Sequence, residues 1–105
     1  MNKKVYLVKF DWACNEDSDI EINIYSTYKK AYKAYQDIIK NEMNPELSWV
    51  GSCAFDKDGN LQDFYEFDET KRHENEETEI FWCVSEMYDY INKHSYVALL
   101  IKEMQ

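Results

Sequence analysis

Glycine and proline are almost missing from this chain: 2 Gly and 1 Pro in 105 residues. That excludes collagen-like and low-complexity classes. Arginine is nearly missing too, with Arg72 alone among the 12 basic residues, which face 21 acidic ones for a net charge of −9. That negative charge argues against direct binding to a nucleic-acid backbone, which needs clustered Lys and Arg, and against an anionic membrane surface. No apolar run approaches the ~20 residues of a membrane span. The opening Met1-Asn2-Lys3-Lys4 is followed too soon by Lys9 and Asp11 to read as a secretory signal.

Cysteine is scarce and odd in number: Cys14, Cys53 and Cys83. Free thiols in a reducing cytoplasm are expected rather than a disulfide framework, with Cys53 and Cys83 as core thiols inside apolar strands. These cysteines, with His73 and His94, make no C-x-x-C or H-x-x-x-H pair, so neither a metal site nor a cofactor is expected. With only Gly51 and Gly59 there is no glycine-rich phosphate loop. A Cys–His nucleophile would need Cys14 beside His73 or His94, and no local signature places them together. Asp56-Lys57-Asp58-Gly59-Asn60 carries a trace of a calcium loop, but its twelfth position is Phe67 where a bidentate Glu is needed. The expectation is therefore a protein that is not an enzyme.

What remains is apolar and aromatic. Apolar residues make up 45% and aromatic residues 16%, too much for a disordered chain and enough for one core, so a single domain over residues 1–105 is expected.

Val5 to Trp12 reads as a strand with Tyr6, Val8, Phe10 and Trp12 on one face. Cys14 to Ser18 reads as a turn. Asp19 to Tyr25 alternates cleanly and reads as a second strand, hairpin-paired with the first, with Ile20, Ile22 and Ile24 inward. Ser26 or Thr27 caps an amphipathic helix on which Tyr28, Ala31, Tyr32, Tyr35, Ile38, Ile39 and Met43 recur, ending near Asn44 before Pro45. Leu47–Phe55 and Leu61–Phe67 read as strands joined by the turn Asp56–Asn60. Residues 68–79 have no apolar member and read as a solvated loop. Ile80–Val84 reads as a strand, residues 84–94 fit either a short helix or more strand, and Tyr96–Lys102 reads as a final strand. The fold class is α+β: a mainly antiparallel sheet of five or six strands with one long amphipathic helix on one face.

Charge is unevenly placed. Between Asp56 and Glu79 stand ten acids and three bases, a net of −7, whereas residues 26–43 are net +2. Asp63, Glu66, Asp68, Glu69, Glu74, Glu76, Glu77 and Glu79, interleaved with Phe64, Tyr65 and Phe67, are the expected partner-binding residues. Such a segment would imitate phosphate spacing or dock on a basic groove, with salt-sensitive association; the plainer reading is a loop held open by self-repulsion.

The strand Val5-Tyr6-Leu7-Val8-Lys9-Phe10-Asp11-Trp12, followed by Tyr25-Ser26-Thr27-Tyr28-Lys29-Lys30-Ala31 opening a helix, resembles small acidic proteins of phages and mobile elements of low-GC Gram-positive bacteria. In size and acidity the chain is also similar to anti-CRISPR inhibitors. Abundant Lys, Asn, Ile and Tyr, all with AT-rich codons, suit such a genome. The resemblance covers about the first 45 residues and carries no catalytic residues.

It implies a cytoplasmic, non-enzymatic inhibitor of a nucleic-acid-handling host defence complex. Its partner would be a basic protein surface, such as that of a CRISPR effector, with no direct nucleic acid and no membrane. Two alternatives accompany it. One is a homodimeric interaction module using its aromatic sheet face or an edge strand Tyr96–Ile101. The other is a small-ligand or nucleotide-sequestering protein with a pocket of Trp49, Trp82 and tyrosines.

Overall fold

The computed structural model describes residues 3–70, 78–87 and 93–104. The hairpin forms as the alternation predicts. β1 (Lys3–Cys14) returns as β2 (Asp17–Tyr25) through Asn15 and Glu16 alone. Asn15 takes φ 58°, a left-handed conformation that Asn tolerates better than most residues.

The Thr27 hydroxyl accepts from the Lys30 N–H at 3.3 Å and starts α1 (Tyr28–Glu42). Ala31 and Tyr35 are buried, with Ala34, Ile38 and Ile39 packed beside them, as the helical spacing requires. At 15 residues the helix is of ordinary length, not the long one expected.

Leu47–Phe55 is not a strand. It is a turn followed by one π-helical turn, Val50–Ala54. Ser48 supplies the reason: its Oγ accepts from the Val50 N–H and its carbonyl from the Ser52 N–H, each at 3.1 Å, so local bonds replace a ladder. The predicted turn at Asp56–Asn60 does form. Gly59 takes φ 83°, and Asp56 Oδ1 accepts from the N–H groups of Asp58 and Asn60, each at 2.9 Å. Its flanks share one bridge, Phe55 with Leu61, rather than a ladder.

The remaining strands are β3 (Tyr65–Thr70), β4 (Thr78–Glu86) and β5 (Lys93–Met104). Both ends of the expected 68–79 loop thus belong to strands, while residues 71–77 lie outside the described residues. The ambiguous segment after Val84 continues as strand to Glu86, and residues 88–92 also lie outside.

All five strands pair antiparallel in the order β2-β1-β5-β4-β3. Among the described residues the fold is α+β, one antiparallel sheet with one α-helix. The C-terminal strand is its centre, not an edge, which removes the edge pairing expected of Tyr96–Ile101. Its length explains the position: Lys3–Cys14 pairs with Lys93–Met104 over twelve residues each, so both sides of β5 are occupied.

α1 lies across β5, β1 and β2. Directly opposite residues share a sheet face, so the registers assign each side chain. Tyr6, Val8, Phe10, Val97, Leu99, Trp82 and Val84 face the helix and form the core with Ala31, Tyr35, Val50 and Ala54.

The same rule overturns the inward placement of the isoleucines. Tyr6, Val8 and Phe10 pair with Tyr25, Asn23 and Glu21, which puts Ile20, Ile22 and Ile24 on the other face. They are 57%, 55% and 68% exposed. No helix among the described residues is long and apolar enough to cross a membrane.

Gly51 marks the tightest contact between the helix end and the π-helical turn. A Cβ there would lie 2.4 Å from the Asn44 carbonyl carbon, 2.5 Å from the Met43 oxygen and 2.6 Å from the Pro45 nitrogen, all backbone. Gly51→Ala should therefore destabilise the protein by about 3 kcal/mol, the upper end for overpacking. A urea midpoint shifted down at constant slope checks this; an unchanged midpoint contradicts it.

Candidate functional site

The acidic segment becomes an edge. β3 pairs only with β4 and forms one border of the sheet. Register divides its acids. Glu66 and Asp68 pair with Ser85 and Cys83 on the helix-free face, whereas Glu69 pairs with Trp82 on the helix face. Asp63, Glu66, Asp68 and Glu69 are exposed. Glu79 is half-buried beyond the other end of the strand, at the bulge where Thr78 and Ile80 shift register. The structure therefore brings Asp63, Glu66, Asp68 and Glu69 together on one border and sets Glu79 apart; Glu74, Glu76 and Glu77 lie outside the described residues.

Aromatic side chains root this edge. Phe67 is partly exposed and meets Phe55 edge-on at 5.8 Å and Trp82 at 6.1 Å; Tyr65 lies 5.9 Å from Trp49. The conformation of Phe64 is what the sequence reading missed. Phe64 takes φ 80°, a conformation disfavoured for a bulky side chain, and its carbonyl accepts from the Met87 N–H at 2.9 Å. The residue is 55% exposed, and in sequence it stands between Asp63 and Glu66. Nothing in the run Asp63-Phe64-Tyr65 signals a left-handed residue, because Gly or Asn would be the usual sign.

A tyrosine ladder flanks the acids from the helix side. Tyr6 meets Tyr28 edge-on at 5.8 Å, Tyr28 stacks on Tyr32 at 5.8 Å, and Tyr32 meets Tyr35 at 6.0 Å. The ladder runs from the exposed Tyr28 and Tyr32 to the buried Tyr35. Burial pushes the Tyr28 phenol up, and the charge of Glu79 adds to it. Burial pushes Tyr35 further, with Glu69 next in weight. The basic helix face is partly neutralised by its own acid, Lys33 Nζ lying 3.0 Å from Asp37 on an exposed surface.

Other expected chemistry separates. Cys14 pairs with Lys93, and His94 with Ala13, so Cys14 and His94 lie on opposite faces and cannot form a nucleophile pair. His94 Nε2 instead lies 2.9 Å from Asp11 Oδ1 on the helix-free face. His73 lies outside the described residues. Cys53 is exposed on the π-helical turn rather than a core thiol, because the strand expected to bury it does not form. Among the described residues no three His, Cys, Asp or Glu side chains converge to hold a metal ion.

Trp82 is core, while Trp49 lines a shallow cleft of about 340 Å³ with Phe10, Trp12 and Glu42, whose carboxylate accepts from Ser95 Oγ at 2.7 Å. Tyr96, half-buried, stacks on Phe81 at 5.6 Å; Tyr88 and Tyr90 lie outside the described residues.

A search of family models, curated proteins and solved structures found no match to the chain.

The Tyr35 hydroxyl is buried with no hydrogen-bond partner among the described residues. Its raised pKa keeps the phenol protonated in the folded state above pH 10, where the unfolded chain ionises. Stability is then intact below pH 10 and falls above it, by up to about 1.4 kcal/mol per pH unit from this one group. Tyr35→Phe should be neutral to stabilising by about 1 kcal/mol at pH 7 and should flatten the alkaline limb. Denaturant unfolding between pH 7 and 11 checks both; a loss of more than 1 kcal/mol at pH 7 would show that the hydroxyl has a partner.

Proposed function

We propose that this protein is a non-enzymatic inhibitor that lays its acidic β3 edge on a basic, nucleic-acid-binding protein surface of a host defence complex, a CRISPR effector being the candidate partner. The observation that carries this reading is Phe64, held in a left-handed backbone and more than half exposed, within the acidic run from Asp63 to Glu69. Backbone strain of this kind costs about 1–3 kcal/mol and collects at functional positions. A ring at the head of a row of carboxylates gives a charged edge an apolar anchor, and interface energy concentrates in such anchors.

The carboxylates have a separate task. Asp63, Glu66, Asp68 and Glu69 attract a positive groove and raise the rate of encounter, and the effect weakens as salt screens it. Occupying the groove excludes nucleic acid by competition. No chemistry is required of the inhibitor.

The test is a competition assay in which a purified CRISPR effector binds labelled nucleic acid in the presence of this protein. Neutralising the four acids together, as Asp63→Asn, Glu66→Gln, Asp68→Asn and Glu69→Gln, should lower the association rate at least about tenfold at low salt and flatten its salt dependence. Phe64→Gly should raise stability by about 1 kcal/mol while weakening inhibition, the trade expected where strain serves binding. Inhibition unchanged in both variants contradicts the reading.

A further inference from the structure

The opposite border of the sheet is longer and less densely charged than β3, although Asp17, Asp19 and Glu21 lie along it. Edge strands are normally blunted by short length, charge, proline or a bulge. β3 is short and acidic. β2 is nine residues long, pairs with β1 without a register shift, and has no Lys, Arg or Pro between Asp17 and Tyr25. It also bears the row of exposed isoleucines on its helix-free face.

The backbone points the same way as the side chains. A two-residue turn closes on a hydrogen-bonded pair, here Cys14 with Asp17. Alternation from that pair turns the amides and carbonyls of Asp19, Glu21, Asn23 and Tyr25 toward β1. Those of Ile20, Ile22 and Ile24 point outward. Among the described residues, those with outward ladder groups are therefore the ones with exposed apolar side chains; the Ile20 N–H is met by Asp19 Oδ1 at 2.9 Å, an exposed side chain that can yield to a strand.

From this we infer that β2 pairs antiparallel with β2 of a second copy, about a two-fold axis at Ile22, to make one continuous ten-stranded sheet. Side-chain matching selects both the occupant and the register: centring on Asn23 also keeps acids apart but sets Ile20 against Ser26, whereas centring on Ile22 matches every isoleucine. Centred on Ile22, Ile20 faces Ile24 of the second copy, Glu21 faces Asn23, and Asp19 faces Tyr25. All three isoleucines meet isoleucines and no acid meets an acid. Centring on Glu21 opposes that residue to itself, and centring on Ile20 opposes Asp19 to Glu21. A contact of this kind is self-complementary, as a two-fold dimer demands. The acidic β3 edge does not oppose it, because four strand spacings, about 19 Å, separate the two borders and physiological salt screens over about 8 Å. The inference is independent of the reading given to β3.

Sedimentation velocity of the full chain from 1 to 300 μM tests it. These are concentrations chosen to bracket Kd values of about 1–100 μM. The expected result is a monomer–dimer equilibrium within that range. Ile22→Lys should weaken it by more than about 100-fold, since two lysines would face each other on the axis. The fold should survive, because Ile22 is already exposed, and an unchanged circular dichroism spectrum and urea midpoint verify that. Asn23→Lys should tighten the dimer several-fold by facing Glu21 twice, an effect specific to this register. A strict monomer at 300 μM, a dimer indifferent to Ile22→Lys, or a weaker dimer with Asn23→Lys overturns the inference.

Discussion

The antiparallel pairing of β1 with β5 is the constraint on which the other features depend. It joins the two ends of the described chain over twelve residues each and sets Val8 beside Leu99 under the helix. Once β5 holds the middle of the sheet, β2 and β4 can only lie outside it, and β3 outside β4. The helix then covers the face of Tyr6, Val8 and Phe10. The segment of Trp49 and Phe55 covers the same face over β3 and β4 through Tyr65 and Phe67. The helix-free face remains, with Phe81 and Ala98 buried within it and the isoleucines of β2 bare.

The two borders differ in physical character. β3 is short and charged, and a strained, exposed phenylalanine stands at its head. β2 is long, regular and apolar on one side. Charge draws a partner over distance and sets the rate of encounter, whereas apolar area with free ladder groups holds what it meets at contact. In the inferred dimer the acidic β3 borders lie far apart, and the Ile22-centred register keeps Asp19 and Glu21 of β2 from facing acids of the second copy. On the proposed reading the acidic border faces the target.

Much of this was legible in the sequence, and the exceptions share a cause. The hairpin, the Thr27 cap, the helix stop before Pro45 and the turn at Gly59 are local, and local chemistry decides them. The phase of β2 is not local. Clean alternation at Ile20, Ile22 and Ile24 says that one face is apolar, but the pairing register decides which face. A turn spread over Cys14 to Ser18 leaves that register open, whereas the actual turn, Asn15 and Glu16, closes it. The central position of β5 was equally hidden, because an apolar run fits a centre or an unpaired edge. At Leu47–Phe55, apolar content suggested a strand, and the capping by Ser48 overrode it. The candidate site was legible in its acids and not in its geometry: the same run that supplied Glu66 and Asp68 gave no sign of Phe64's backbone or of the division of acids between two faces.

Amide hydrogen exchange at low micromolar concentration tests the organisation most directly. Central strands exchange only by global opening, while outward amides of edge strands exchange by local fluctuation. The account predicts the slowest exchange at Val97, Ala98 and Leu99 of β5, with Ile20, Ile22 and Ile24 and the outward amides of β3 exchanging far faster. Rapid exchange at Val97–Leu99, on a par with β3, would contradict it.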